Sequence, residues 1–352
     1  MKSLFGVVTL ALAVACGSST PPDLTVEQPG TYAVGTHATT ITDSARSRTL
    51  TVQLWFPTNT VAAAVPFEQQ ELGSNQATYA GLLAAAPSCP TRTIAVAVDA
   101  QPVAGSFPAI VFSHCQSCTR LSQASTAVRL ASHGFIVAAV DHAGDDLWAH
   151  LAGSDGPLTH DELEVRAADI RFLIDQLPTL TGADNTHVGM FGHSFGGVTA
   201  GRVAETDTRV EAAAALCAPM ENPAIPGVTL ANIHVPLMFI VADEDNSIGD
   251  LGNQFIDKNY GSAAPPVAKL EVPDAGHWSF SDEDGLIDAF APGCGSGIRQ
   301  TNDQPFDYLD PPKGRDIAAA YVTAFFKATM LHDAGAQAYL DSAHLGVTAS
   351  HR

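Results

Sequence analysis

The chain has 352 residues, 46% hydrophobic and 7% aromatic, enough to bury one large core or two small ones. It carries 37 acidic residues against 17 basic ones, a formal charge of −20, with no cluster of Lys and Arg. That balance excludes nucleic acid and anionic lipid as partners on electrostatic grounds, and most of the excess carboxylates are expected to keep the surface solvated.

Met1-Lys2-Ser3 followed by the apolar residues 4–15 has the charge and length of a signal peptide and is too short to span a bilayer. Ala13-Val14-Ala15-Cys16-Gly17 resembles a bacterial lipoprotein processing site that would make Cys16 the lipidated first residue, with ordinary secretory cleavage as the alternative. Residues 16–29, rich in Gly, Ser, Thr and Pro, read as a flexible tether, and residues 30–352 as one domain. The expectation is export from a bacterial cell: secreted, periplasmic or held on the outer membrane through Cys16. Export permits disulfides. Besides Cys16 there are Cys89, Cys115, Cys118, Cys217 and Cys294, an odd set that cannot all pair internally. Cys115-Gln116-Ser117-Cys118 has CxxC spacing but no further ligands at regular spacing, so zinc is not expected.

Residues 31–39 and 49–56 pattern as strands, the second alternating as a half-buried strand should. Residues 61–101 read as a short helix and a loop. Residues 107–113 form the next strand, 121–133 an amphipathic helix closed by Gly134, and 135–140 a buried strand. Residues 159–177 are the clearest helix: Thr159 and Glu162 fit a capping box, Leu163, Ala167, Ile170, Ile174 and Leu177 share a face, and Pro178 is expected to end it. Strands follow at 186–191, 210–216, 237–242 and 268–272, with a small-residue helix from Gly197 and a closing helix at 316–331. Short strands alternating with helices predict an α/β fold, a mostly parallel central sheet with helices on both faces.

In such a sheet, ligands and reacting groups gather at the carboxyl ends of the strands. Gly192-His193-Ser194-Phe195-Gly196 has the Gly-x-Ser-x-Gly pattern of a nucleophile elbow, a strained strand-to-helix turn that lifts a serine hydroxyl above the sheet. Its glycines are required because a Cβ at 192 or 196 would collide with neighbouring backbone. A serine needs a base, and the base needs a carboxylate that fixes its tautomer; the chain order for this arrangement is Ser, acid, His. His277, in Pro273-Asp274-Ala275-Gly276-His277-Trp278 after the last strand, is the base by position. The acid is Asp245 in preference to Asp243, and Asp274 is expected to shape its own loop. His193 is expected to pack and hydrogen-bond; His114 and His142 follow strands and could line the site, while His133, His160 and His344 read as surface or capping groups. Two oxyanion donors, each worth roughly 3 kcal/mol, are expected at the backbone N–H of Phe195 and of Gln116.

Three segments carry a family resemblance: residues 107–114 (FPAIVFSH), residues 130–142 (LASHGFIVAAVDH) and Gly192-His193-Ser194-Phe195-Gly196-Gly197. They resemble the platelet-activating-factor acetylhydrolase branch of the α/β-hydrolases, whose neighbouring bacterial cutinase and polyester-hydrolase branch shares much of the pattern. The likeness implies the α/β-hydrolase fold and ester hydrolysis. Two positions depart from it. The acetylhydrolase acid position matches Cys217, which cannot serve, whereas the cutinase-like acid position matches Asp245. Cys115 stands where relatives carry Gly, and a disulfide from Cys115 or Cys118 would hold that loop; Cys217 with Cys294 is a second pairing to consider.

The expected function is a serine hydrolase that cleaves carboxylic esters through Ser194, His277 and Asp245 and an acyl-enzyme, with no cofactor and an ester as substrate. The alternatives are a lipase- or cutinase-like polyester or phospholipid acyl hydrolase, a thioesterase, and a non-catalytic binding module. Trp278 is expected to contact substrate or to stand at the rim. Residues 145–158 read as a cover over the site or as a plain surface loop, and Ser281-Asp282-Glu283-Asp284 as a solvated acidic turn.

Overall fold

The computed structural model describes residues 20–291 and 293–352. The signal peptide at residues 1–15 and the lipidation of Cys16 lie outside the described residues. The strands are β1 (Ala33–Asp43), β2 (Arg48–Thr58), β3 (Ala63–Pro66), β4 (Thr93–Val98), β5 (Ala109–Ser113), β6 (Ile136–Val140), β7 (Val188–His193), β8 (Val210–Leu216), β9 (Leu237–Ala242), β10 (Val267–Val272), β11 (Ser296–Ile298), β12 (Pro305–Asp307) and β13 (Thr348–His351). The helices are α1 (Asn75–Ala85), α2 (Ala124–Ser132), α3 (Leu147–Leu151), α4 (His160–Thr181), α5 (Phe195–Thr206), α6 (Gly249–Ser262), α7 (Pro311–Met330) and α8 (Ala334–Leu340).

Eleven strands form one sheet in the order β13-β10-β9-β8-β7-β5-β6-β2-β1-β4-β3. From β10 to β6 the pairing is parallel throughout, and β2, β1 and β13 add antiparallel edges. Burial on both faces explains why β5 to β9 read as near-continuous apolar runs. Their side chains still alternate. Ile110 and Phe112 of β5 pack with α2 and α7 on one face, and Ala109 and Val111 with α4 on the other. The Phe112 and Phe191 rings of adjacent strands meet at 4.7 Å.

Four expectations change. Of the tether, residues 23–28 fold onto the core: Leu24–Glu27 is a turn of 3-10 helix, Val26 is fully buried, and Arg129 donates to Val26 O at 2.8 Å. Residues 61–101 hold α1 as expected but also β3 and β4, whose pairing to each other and to β1 lies outside any local pattern. Helix α4 runs through Pro178 to Thr181 and stops at Gly182, whose φ is 71°. The Ile174 carbonyl that Pro178 leaves without an N–H is taken instead by Asn185 Nδ2 at 3.2 Å. Finally, the disulfides are Cys115–Cys118 and Cys89–Cys294, so Cys294 does not pair with Cys217, which is a buried free thiol.

Candidate active site

Ser194 sits between β7 and α5 with φ 55° and ψ −123°, a conformation that costs a non-glycine residue of order 1–3 kcal/mol. Its N–H donates to Leu216 O at 2.9 Å and its carbonyl accepts the Gly197 N–H at 2.8 Å, so the turn is held from both sides. The flanking glycines have no steric freedom. A Cβ on Gly192 would lie 2.0 Å from Gly196 O, and one on Gly196 would lie 1.9 Å from Ser113 O. Ser194 is half-buried while His193 and Phe195 beside it are buried.

His277 stands in the loop after β10, and its Nδ1 lies 2.8 and 3.0 Å from the two carboxylate oxygens of Asp245, in the loop after β9. Asp245 is fully buried, and the N–H groups of Ser247 and Ile248 each donate to its Oδ1 at 3.0 Å. Burial alone would raise this carboxyl, but the His277 imidazole and these donors outweigh it and hold it below the usual carboxylate range. An ionised Asp245 only accepts, so in this contact His277 Nδ1 donates. Asp243 is exposed and makes no such contact.

His193 ties the elbow to the histidine loop. Its Nε2–H donates to the His277 carbonyl at 2.9 Å, and the two rings lie 4.9 Å apart. Burial, with the neighbouring His277, pushes it down to about 3, so it stays neutral and acts as a strut. Cys217, at the end of β8, has φ 53°; its thiol donates to Asp245, and burial raises it well above the ordinary range. The Cys217 Sγ and one nitrogen each of His193 and His277 lie within 4.8 Å of one another. These donor types suit a soft metal, but each group is already engaged: His277 with Asp245, His193 with a carbonyl, and the thiol as a protonated donor.

Phe195 N–H opens α5, and Gln116 follows β5 in the neighbouring loop; no acceptor among the described residues takes either N–H. Residues 145–158 reach this loop directly. Gln116 Nε2 donates to Gly156 O at 2.7 Å, Ser117 Oγ to Asp155 Oδ2 at 2.7 Å, and Leu147 N–H to Cys118 O at 3.1 Å. From below, the buried Arg166 of α4 donates to the His114 carbonyl, pairs with Asp145 at 2.5 Å, and lies over the Phe195 ring at 4.6 Å. Arg166 has no precedent in the sequence reading; an arginine between the apolar positions Leu163 and Ala167 was the available signal.

His142 and His114 support the same region without lining an open site. His142 Nδ1–H donates to Asp169 at 3.1 Å, and its Nε2 faces Ser113 Oγ at 3.0 Å. The acidic turn is a correction: Ser281, Asp282, Glu283 and Asp284 are buried, not solvated. Glu283 accepts the Thr119 N–H at 3.0 Å, and Asp282 accepts the Ser125 N–H at 2.8 Å and the Thr91 hydroxyl at 2.5 Å. The histidine loop is thereby stitched to the segment that follows Cys118. Trp278 is buried too, its ring 5.0 Å from His277 and 4.5 Å from Phe290.

Comparison with known proteins agrees with this architecture. Residues 18–151 match the family model of platelet-activating factor acetylhydrolase, isoform II, and residues 109–241 that of serine aminopeptidase, S33. Platelet-activating factor acetylhydrolase of Bos taurus is 27% identical over 179 residues, covering 38% of this chain and 39% of the bovine protein's length. A solved ferulic acid esterase from Streptomyces cinnamoneus superposes with a TM-score of 0.64 at 23% identity, covering 88% of this chain and 93% of that one. The chain is an α/β-hydrolase by fold. Within that class its similarities lie with the platelet-activating-factor acetylhydrolase and esterase branch.

Proposed function

We propose that this protein is a serine ester hydrolase. The observation that carries the reading is a buried carboxylate, Asp245, holding His277 by Nδ1 in a loop whose His277 carbonyl is hydrogen-bonded to His193, the residue before the strained Ser194. In this reading Ser194 attacks the ester carbonyl while His277 Nε2 takes the hydroxyl proton, and Asp245 stabilises the imidazolium that forms. The N–H groups of Phe195 and Gln116 meet the oxyanion. His277 then returns its proton to the leaving alcohol, and a water activated by the same imidazole hydrolyses the acyl-enzyme. The similarity to an acetylhydrolase and an esterase supports ester cleavage as the reaction class. Two disulfides support an oxidising compartment and hence export.

The test is hydrolysis of p-nitrophenyl esters from acetate to palmitate by the protein and by Ser194→Ala. Turnover at one or more chain lengths that falls at least 10³-fold in the variant is expected. A folded protein inactive at every length, or a Ser194→Ala variant as active as its parent, would overturn the reading.

A further inference from the structure

The second oxyanion donor is positioned by its own piece of chemistry. The carbonyl of Cys115, which shares a peptide plane with the Gln116 N–H, is held twice: His114 Nδ1–H donates to it at 2.6 Å and the Cys118 N–H at 3.3 Å. His114 is itself fixed, because its Nε2 accepts the His142 N–H at 2.9 Å and burial keeps the ring neutral. In a trans peptide the C=O and N–H point to opposite sides, so anchoring this carbonyl sets the direction of the Gln116 N–H. The loop lies against the start of α5, since a Cβ on Gly196 would be only 2.7 Å from His114 O.

The turn that achieves this runs against local preference. Ser117 has φ 60°, at the third position of a turn where glycine is favoured. What closes the turn is the Cys115–Cys118 disulfide, with Cα atoms 5.2 Å apart and both residues fully buried. We propose that the Cys115–Cys118 disulfide, with His114, is a positioning device that locks the Cys115–Gln116 peptide so that its N–H stands ready as an oxyanion donor. It rests on the reading of Ser194 as the nucleophile. Without the covalent closure Ser117 relaxes toward negative φ and the donor loses its fixed aim.

The experiment compares Cys115→Ala/Cys118→Ala, Gln116→Pro and Gln116→Ala with the parent on p-nitrophenyl acetate. Inhibition by an aryl trifluoromethyl ketone, whose serine adduct carries an oxyanion, is measured alongside. Substitution is used in place of a reductant so that Cys89–Cys294 stays intact. Proline is favoured at the second position of such a turn, and Gln116→Ala shares its loss of the side-chain bond to Gly156 O, so the comparison of the two isolates the N–H from folding. Its kcat is expected at least 10²-fold below that of Gln116→Ala. The double alanine variant is expected to lose 10- to 100-fold in kcat with KM within about threefold, and its ketone Ki is expected to rise by the same factor as kcat/KM falls. Equal kcat in Gln116→Pro and Gln116→Ala would remove the donor. A large loss in Gln116→Pro with kcat in the double alanine variant within twofold of the parent would overturn the role of the disulfide, as would a fall in kcat with Ki unchanged. Failure of the hydrolase reading is distinguishable, because it shows as a parent without turnover or one indifferent to Ser194→Ala.

Discussion

Replacing Glu283 by Gln should remove a pH dependence of stability whose sign and size follow from its surroundings. Glu283 is fully buried; Tyr79 OH donates to its Oε1 at 3.2 Å and Thr119 N–H to its Oε2 at 3.0 Å, and no cation among the described residues contacts it. Burial pushes the carboxyl up to about 8, and the nearby Glu71 adds to the rise. In the unfolded chain it titrates near 4.3, so the folded state keeps a proton that the unfolded state has lost across roughly pH 4.3 to 8. The stabilisation is complete below the unfolded value and disappears as pH rises through the folded one. It changes by about 1.4 kcal/mol per pH unit and totals about 5 kcal/mol at most. Glutamine keeps the acceptor and cannot titrate. Urea unfolding from pH 5 to 9, followed by the fluorescence of the three tryptophans, gives the difference between parent and variant at each pH. That difference should fall steadily to pH 8 and flatten beyond it. Asp284, raised to about 7, and Asp146, raised to about 6, act in the same direction in both proteins and cancel. A difference that does not vary with pH, or that grows in favour of the parent, would refute the reasoning.

Asp245→Asn should lower kcat by about 10³- to 10⁴-fold, because the amide would face His277 Nδ1 with a donor and force the wrong tautomer, while Asp243→Asn stays within about twofold; steady-state kinetics on p-nitrophenyl acetate decides between the two aspartates. Gly196→Ala places a Cβ 1.9 Å from Ser113 O, so both the thermal midpoint and kcat should drop, the latter by about 100-fold or more. On the acid side, burial pushes His142 and His193 down to about 3, below their unfolded value near 6.5. Their contribution is complete above pH 6.5 and should be lost on acidification at up to about 2.7 kcal/mol per pH unit for the two together, read as urea midpoints from pH 6.5 to 4.5. His142→Gln should reduce the measured slope by one histidine's share, about 1.4 kcal/mol per pH unit, with buried His114 adding a similar background to both proteins.

The parts of the fold legible in the sequence are those whose signal is local. The ranges 210–216 and 237–242 coincide with β8 and β9 because a strand buried on both faces is an apolar run bounded by polar residues. Thr159 caps α4 as its spacing to Glu162 implies, its Oγ1 accepting the Glu162 N–H at 3.3 Å. The elbow was legible for the same reason: the steric demand on Gly192 and Gly196 is written into five consecutive residues. What escaped depends on partners far along the chain. Pro178 looked like a helix end because the acceptor it strands is rescued by Asn185, outside the helix. Ser281-Asp282-Glu283-Asp284 looked solvated because Thr91, Thr119 and Ser125, more than 150 residues earlier, supply its hydrogen bonds. Cysteine pairing is likewise a property of the folded chain, and Cys89 with Cys294 spans 205 residues.

That long bridge makes most of the molecule a covalent ring. Gln116, Ser194, Asp245 and His277 all belong to the segment it closes, and the chain-entropy picture credits a loop of this size with about 5 kcal/mol. A single cut by an external protease anywhere in the ring, for example in the exposed turn at residues 152–154, opens a circle and creates no second molecule. The nicked protein stays one covalent piece, with both new ends tethered near the sheet they came from, until a reductant reaches Cys89–Cys294. For a protein read as exported among proteases, this architecture turns the first backbone cleavage into damage that the folded core can outlast.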